Sequence, residues 1–158
     1  MTTESENCSA VAFAAAVIDV NNVVWTLSRP TVGVFHRLAA LVPVVRALRE
    51  CGISEVVAVA DANIGHLVAD AGQSTSSGVP DVLKGSIDRF IVVAAGEPAD
   101  RTILNLARER DAWIVSNDHF REWKRRDRWV KRNAWKRRVT VQPGGEGGPD
   151  SISLRFPV

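Results

Sequence analysis

The chain has 158 residues, 46% hydrophobic and 24% charged, which is long enough for one full core and has the composition of a soluble globular protein. Its net charge of +2 conceals an asymmetry: residues 121–138 hold ten Lys and Arg against Glu122 and Asp127, so that stretch is eight positive and the other 140 residues are six negative. A basic block on an otherwise acidic chain points to a polyanionic partner. The start, MTTESENCSA, has no basic lead, and no apolar run reaches the roughly 18 residues of a membrane span, so no signal peptide and no membrane segment are expected and the location expected is cytoplasmic. Cys8 and Cys51 offer neither metal-ligand spacing nor a disulfide framework and are expected to be unpaired thiols in a reducing compartment.

In chain order, residues 1–10 read as a disordered tail and 11–158 as a single domain. Val11–Val20 is a first strand of small and branched apolar residues, followed by a loop over Thr26–Thr31. Val34–Glu50 has helical spacing with Leu38, Leu41, Val45 and Leu48 on one face; Pro43 is expected to kink or split it, and Gly52 to end it as a left-handed cap. Ser54–Ala60 is a second strand. A short helix over Asn63–Ala71 and a flexible loop over Gly72–Gly78 follow, then a helix over Pro80–Ile87 and a third strand over Arg89–Ala94. Pro98 and Asp100 suit the start of a helix running to about Arg110. Ala112–Ser116 is a fourth strand, the basic segment is one or two short helices, and Val139–Gln142 with Ile152–Arg155 flank a glycine-rich turn as a terminal hairpin. This alternation implies a parallel sheet with helices on both faces.

Four acids follow four of these apolar runs: Asp19, Asp61, Asp100 and Asp118. In an open α/β sheet the carboxyl ends of the strands form the ligand crevice, and carboxylates gathered there repel one another unless a cation holds them. Oxygen ligands without cysteine or histidine suit Mg²⁺ or Mn²⁺, which lower the pKa of a bound water and stabilise charge on a phosphoryl oxygen. No phosphate-binding lysine loop and no GxGxxG occur, so nucleoside triphosphate and dinucleotide binding are poorly supported. Each Asp taken alone is as readily a helix cap or turn former; the four together carry the metal expectation, with Asp61 the weakest because Asp61-Ala62-Asn63 is also a good turn. Asn21 and Asn22 can orient a carboxylate or simply form a turn.

VIDVNN (17–22), ADRTILNLA (99–107) and IVSNDHFREW (114–123) resemble the motifs of NYN/PIN-like ribonucleases, in particular the Regnase (MCPIP) type, including the 18-residue step from Asp100 to Asp118. The resemblance covers most of residues 14–142 in order. It implies a three-layer α/β/α PIN-like (NYN) domain with a central, mainly parallel sheet, and a Mg²⁺- or Mn²⁺-dependent endoribonuclease. Carried across by motif, Asp19, Asn22, Asp100 and Asp118 are the expected catalytic residues. Asp19, Asp100 and Asp118, with Asp61 added on topology, are the expected metal ligands, and Ser116 and Asn117 support them. The sequence departs from the family where paired acids often precede the Arg, since Ala99-Asp100 stands here; Glu97 or Asp61 could compensate. An extra hairpin before that motif is missing, as is the Regnase zinc finger.

The segment HFREWKRRDRWVKRNAWKRR interleaves Trp123, Trp129 and Trp135 with the ten cations. The tryptophans are expected to anchor the core and the cations to contact nucleic acid, with Arg101, Arg121, Lys124 and Arg125 nearest the proposed site. His119 is expected to be structural. The expected substrate is single-stranded RNA. Alternatives are a DNA or flap-type nuclease of the same fold, a non-catalytic nucleic-acid-binding module with a degenerate site, and a receiver-like or phosphohydrolase domain. Dimerisation fits PIN-like folds, and a protein inhibitor would accompany a toxin role; RNA maturation and defence are the other contexts.

Overall fold

The computed structural model of the protein describes residues 12–27, 36–72, 78–144 and 151–158. The expected N-terminal tail, residues 28–31 of the expected loop, residues 73–77 and most of the glycine-rich turn lie outside the described residues. Six strands form one sheet in the order β3-β2-β1-β4-β5-β6: β1 (Ala15–Asp19), β2 (Glu55–Ala60), β3 (Arg89–Val92), β4 (Ala112–Val115), β5 (Arg138–Pro143) and β6 (Ile152–Arg155). The first five run parallel, and β6 returns antiparallel against β5 as the expected hairpin. The central strands β1 and β4 are buried along their whole length, as expected of parallel strands covered on both faces. The edge strand β3 is only half-buried.

The side-chain alternation of β1 divides the core in two. Ala16 and Ile18 pack into a cluster with α1 (Val20–Leu27) and α2 (Leu41–Glu50); Ala15 and Val17 pack into a second with α4 (Ala99–Glu109) and α6 (Arg128–Arg137). The result is the expected three-layer α/β/α domain with a mainly parallel sheet. Two short helices complete the elements, α3 (Ile64–Leu67) and α5 (Arg121–Arg126).

Several boundaries differ from expectation. The first strand is Ala15–Asp19 rather than Val11–Val20, and a helix begins directly behind Asp19. Val20, Val23, Val24 and Leu27 recur at helical spacing and bury against the sheet, a period obscured by the apolar strand before it. The helix expected over Val34–Glu50 is a 3-10 turn over Leu38–Ala40 followed by α2, so the break falls just ahead of Pro43, which is the third residue of α2, where an N–H would have no intrahelical partner in any case. Gly52 ends that helix with φ 87°, as its position implies. Pro80–Ile87 forms a single 3-10 turn over Asp81–Leu83 instead of a helix, stopped by left-handed Gly85. Pro98 caps α4 from just outside it. Cys51 is disulfide-bonded, against the expectation of an unpaired thiol, and Cys8 lies outside the described residues. Among the described residues no helix is long and apolar enough to cross a membrane.

Candidate active site

β1 lies between β2 and β4, and the chain leaves it on one side through β2 and β3 before crossing to β4 on the other. The switch in direction opens a crevice at the carboxyl ends of β1 and β4. Asp19 is the last residue of β1, Asp61 the first beyond β2, and Asp118 the third beyond β4. Asp100 reaches the same edge from the first turn of α4.

Short polar contacts fix these ends. From the first turn of α1, the Asn21 side-chain oxygen accepts the backbone N–H of Asp61 at 2.9 Å, and the Asn22 oxygen accepts the N–H of Asn117 at 2.8 Å. One helical turn therefore clamps the end of β1 to both neighbouring strand ends. Asn117 then acts as a side-chain rung between β4 and β5. Its amide donates to the Val141 carbonyl and its oxygen accepts the Val141 N–H, both at 2.8 Å. Ser116, fully buried, donates its hydroxyl to Asp19 at 2.8 Å and accepts the Asp118 N–H at 3.0 Å. The Asp118 carboxylate accepts the Phe120 N–H at 2.8 Å, closing a tight turn in which Phe120 takes a left-handed conformation with φ 50°. Such a conformation costs about 1–3 kcal/mol, and burial of the Phe120 ring against α4 and α6 offsets it.

The acids feel one another. Asp19 is 6% exposed, and its pKa is pushed from 3.8 to about 7, chiefly by burial, with Asp100 and Asp118 adding to the rise and the Ser116 hydroxyl opposing it. Burial also raises Asp100, helped by Asp118, Asp61 and Glu122; the Trp123 indole N–H, donating to its carboxylate at 3.2 Å, works the other way. None of the four acids is in an ion pair among the described residues, whose salt bridges use Asp81, Asp88, Glu55, Glu97 and Asp111 instead. The acid expected beside Asp100 is replaced by buried Ala99, whose N–H is capped by the Asp61 carboxylate at 3.3 Å. Glu97 turns away to Arg101 at 3.8 Å. Of the two compensating acids considered, the field of Asp61 reaches Asp100, and Glu122 joins it from α5.

An open cleft of about 450 Å³ runs along this edge, lined by residues 117–123 and by Asp100. Of the four cations expected to meet nucleic acid, Arg121 lines the cleft. Lys124 stands close enough to lower the pKa of His119, together with Arg138, which contributes most, and Arg121. Arg101 lies over the Trp123 ring at 5.8 Å, and Arg125 is exposed on α5 outside the cleft lining. His119, expected to be structural, is exposed and lines the cleft. Glu122 and Trp123 were also missed as site residues, because their segment reads first as a basic run. Their position directly behind Asp118 was the available signal.

Among the described residues no group of three or more His, Cys, Asp or Glu side chains is placed to hold a metal ion. The donor set is nonetheless carboxylate oxygen without sulfur or imidazole, and its charge is unpaired. That chemistry fits a hard divalent cation held by a few carboxylates, with waters and substrate oxygens completing its shell. Residues 86–142 match the family model described as Zc3h12a-like Ribonuclease NYN domain. The matched span runs from the turn before β3 into β5 and contains Asp100, Asp118 and the whole basic segment; Asp19 and Asp61 precede it. No curated protein matches the chain.

Proposed function

We propose that this chain, which carries a Regnase-type NYN ribonuclease domain, is a divalent-metal-dependent endoribonuclease acting on single-stranded RNA. The observation that carries the metal requirement is the unpaired carboxylate group at the β1/β4 switch point, with Asp19 pushed to a pKa of about 7 by burial and, further, by Asp100 and Asp118. Asp19, Asp100 and Asp118 are the residues to hold Mg²⁺ or Mn²⁺, with Asp61 behind them. Bound there, the cation supplies charge to a phosphoryl oxygen and lowers the pKa of water.

The chain's own residues do the positioning. Ser116 orients Asp19 and steadies the turn that presents Asp118. Trp123 fixes the Asp100 carboxylate. Arg121, with Lys124 nearby, offers cationic groups to the RNA backbone at the rim of the cleft, which His119 also lines. Asn22 and Asn117 act by holding strand ends, since their side chains are engaged with backbone groups.

Substitution of Asp118 by Asn, with the fold checked by circular dichroism, tests the reading on labelled RNA and DNA oligomers with Mn²⁺ or EDTA. Cleavage of single-stranded RNA that needs Mn²⁺ and disappears in the variant is expected. Wild-type cleavage by Asp118→Asn would refute the site, metal-independent cleavage the cofactor, and preferential cleavage of DNA the substrate.

A further inference from the structure

The three tryptophans of the basic segment have separate fates. Trp123 donates to Asp100, and Trp129 has Arg108 and Arg137 over its ring, with guanidinium carbons 5.9 Å and 5.5 Å from its centroid. Among the described residues Trp135 has only the ammonium of Lys136 over its ring, at 5.4 Å, and it remains 54% exposed. It belongs to a stripe on α6. Arg128, Lys131, Arg132, Trp135 and Lys136 are all exposed and recur at i, i+3, i+4, i+7 and i+8, so they share one face. At 1.5 Å per residue the stripe is about 12 Å long.

The opposite face of α6 is already used, with Val130 and Ala134 buried against the sheet. α6 itself contains no acid. The carboxylate at its start, Asp127, accepts the N–H groups of Trp129 and Val130 as a cap. None of Arg128, Lys131, Arg132 or Lys136 is in a salt bridge among the described residues. An ordinary solvated face pairs its cations with acids three or four residues away and leaves its tryptophan in the core. A membrane-seated helix needs a broad apolar face, and here that face is inside the domain. The stripe is also joined to the cleft: the N–H of Asp127 donates to the carbonyl of Trp123, so α6 starts where the cleft-lining helix α5 ends.

We infer that the outer face of α6 is a second binding surface for the same single-stranded RNA, outside the cleft, in which a base stacks on Trp135 while Arg128, Lys131, Arg132 and Lys136 contact the flanking phosphates. This rests on the RNA reading above and extends it, because the stripe engages only strands long enough to leave the cleft.

The test uses the full chain carrying Asp118→Asn, in EDTA, so that binding is read without cleavage. Fluorescence anisotropy compares unpaired RNAs of about 4 and about 16 nucleotides, the span of typical single-strand sites. Adding Trp135→Ala is expected to weaken the long RNA about tenfold through loss of one stacked base and to leave the short RNA unchanged. Adding Lys131→Glu with Arg132→Glu is expected to flatten the log–log salt dependence of the long RNA by roughly 1.4, two phosphate contacts' worth. All three residues are exposed, so folding is not at stake. Equal binding of long and short RNA by the Asp118→Asn chain would overturn the inference, as would unchanged long-RNA affinity in both added variants. If length-dependent binding is seen but the wild-type chain cleaves nothing, the binding surface stands and the nuclease reading falls.

Discussion

Asp19→Asn tests whether the first acid is a desolvated carboxylate awaiting a cation. Asp19 titrates near 3.8 in an unfolded chain and near 7 in the fold, where burial acts first and Asp100 and Asp118 face it. A raised carboxylate pKa favours the protonated form of the folded state. The cost of ionising it in the fold is therefore absent below pH 3.8, grows between 3.8 and about 7, and is complete above that. At about 1.4 kcal/mol per pH unit, the full cost is about 4 kcal/mol. Asparagine keeps the shape and an oxygen for the Ser116 hydroxyl but carries no charge. In EDTA at pH 8, Asp19→Asn should melt well above wild type, by about 8–16 °C for a domain of this size, and the gap should shrink at pH 5. Asp88, lowered by the Val56 N–H, changes stability with the opposite sign and largely cancels in the difference between variant and wild type, whereas Asp100, also raised and facing Asp19, loses a repulsion in the variant and adds to its gain. Mn²⁺ should raise the wild-type melting temperature more than that of the variant. A variant that melts at or below wild type at pH 8 without metal would show that Asp19 is not an uncompensated buried charge.

Trp123→Phe removes the indole donor to Asp100, a hydrogen bond to a carboxylate worth about 1.5–3 kcal/mol; kcat should fall roughly tenfold or more at unchanged KM, measured under multiple turnover. Asn117→Ala breaks the rung between β4 and β5 and leaves the Val141 backbone unpaired, so urea unfolding should show a loss of about 2–3 kcal/mol, whereas a purely chemical role would leave stability intact. Arg121→Ala and Lys124→Ala should raise KM and each flatten the salt dependence of RNA binding by about 0.7 on a log–log plot, with kcat less affected.

The sheet was legible because its central strands are covered on both faces and so appear as unbroken apolar runs, each ending in an acid. Asp118 could be found from SND alone. The clamp formed by Asn21 and Asn22 could not, because it depends on α1 starting directly behind Asp19, and the branched residues Val20, Val23 and Val24 continue the strand's composition while changing its period. The role of Trp123 was hidden for a related reason. Three tryptophans at six-residue spacing look equivalent in sequence, but Asp127 separates two helices there, α5 before it and α6 after it, and each ring then meets a different environment. Asp61 was legible as an acid near Asp100 from topology, but Glu122 was not, since it reaches Asp100 only through the fold of α5.

The same crevice that gathers carboxylates must accept a phosphate, and the two demands oppose each other. Arg121, Lys124 and Arg138 beside His119 offset part of the repulsion from one rim, but Asp118 stands on the exposed lip where the backbone would pass. Without metal, Asp118 is therefore an obstacle to RNA. A unit charge about 4 Å from a phosphate in water-like surroundings is worth about 1 kcal/mol. Asp118→Asn should then bind unpaired RNA about fivefold more tightly than wild type in EDTA, read by anisotropy, and Mn²⁺ should narrow that gap by tightening the wild type. The effect should fade as salt rises, since the pair is exposed and screened. If the variant binds no better than wild type at low salt without metal, the phosphate does not pass Asp118, and the path of RNA through the cleft is different.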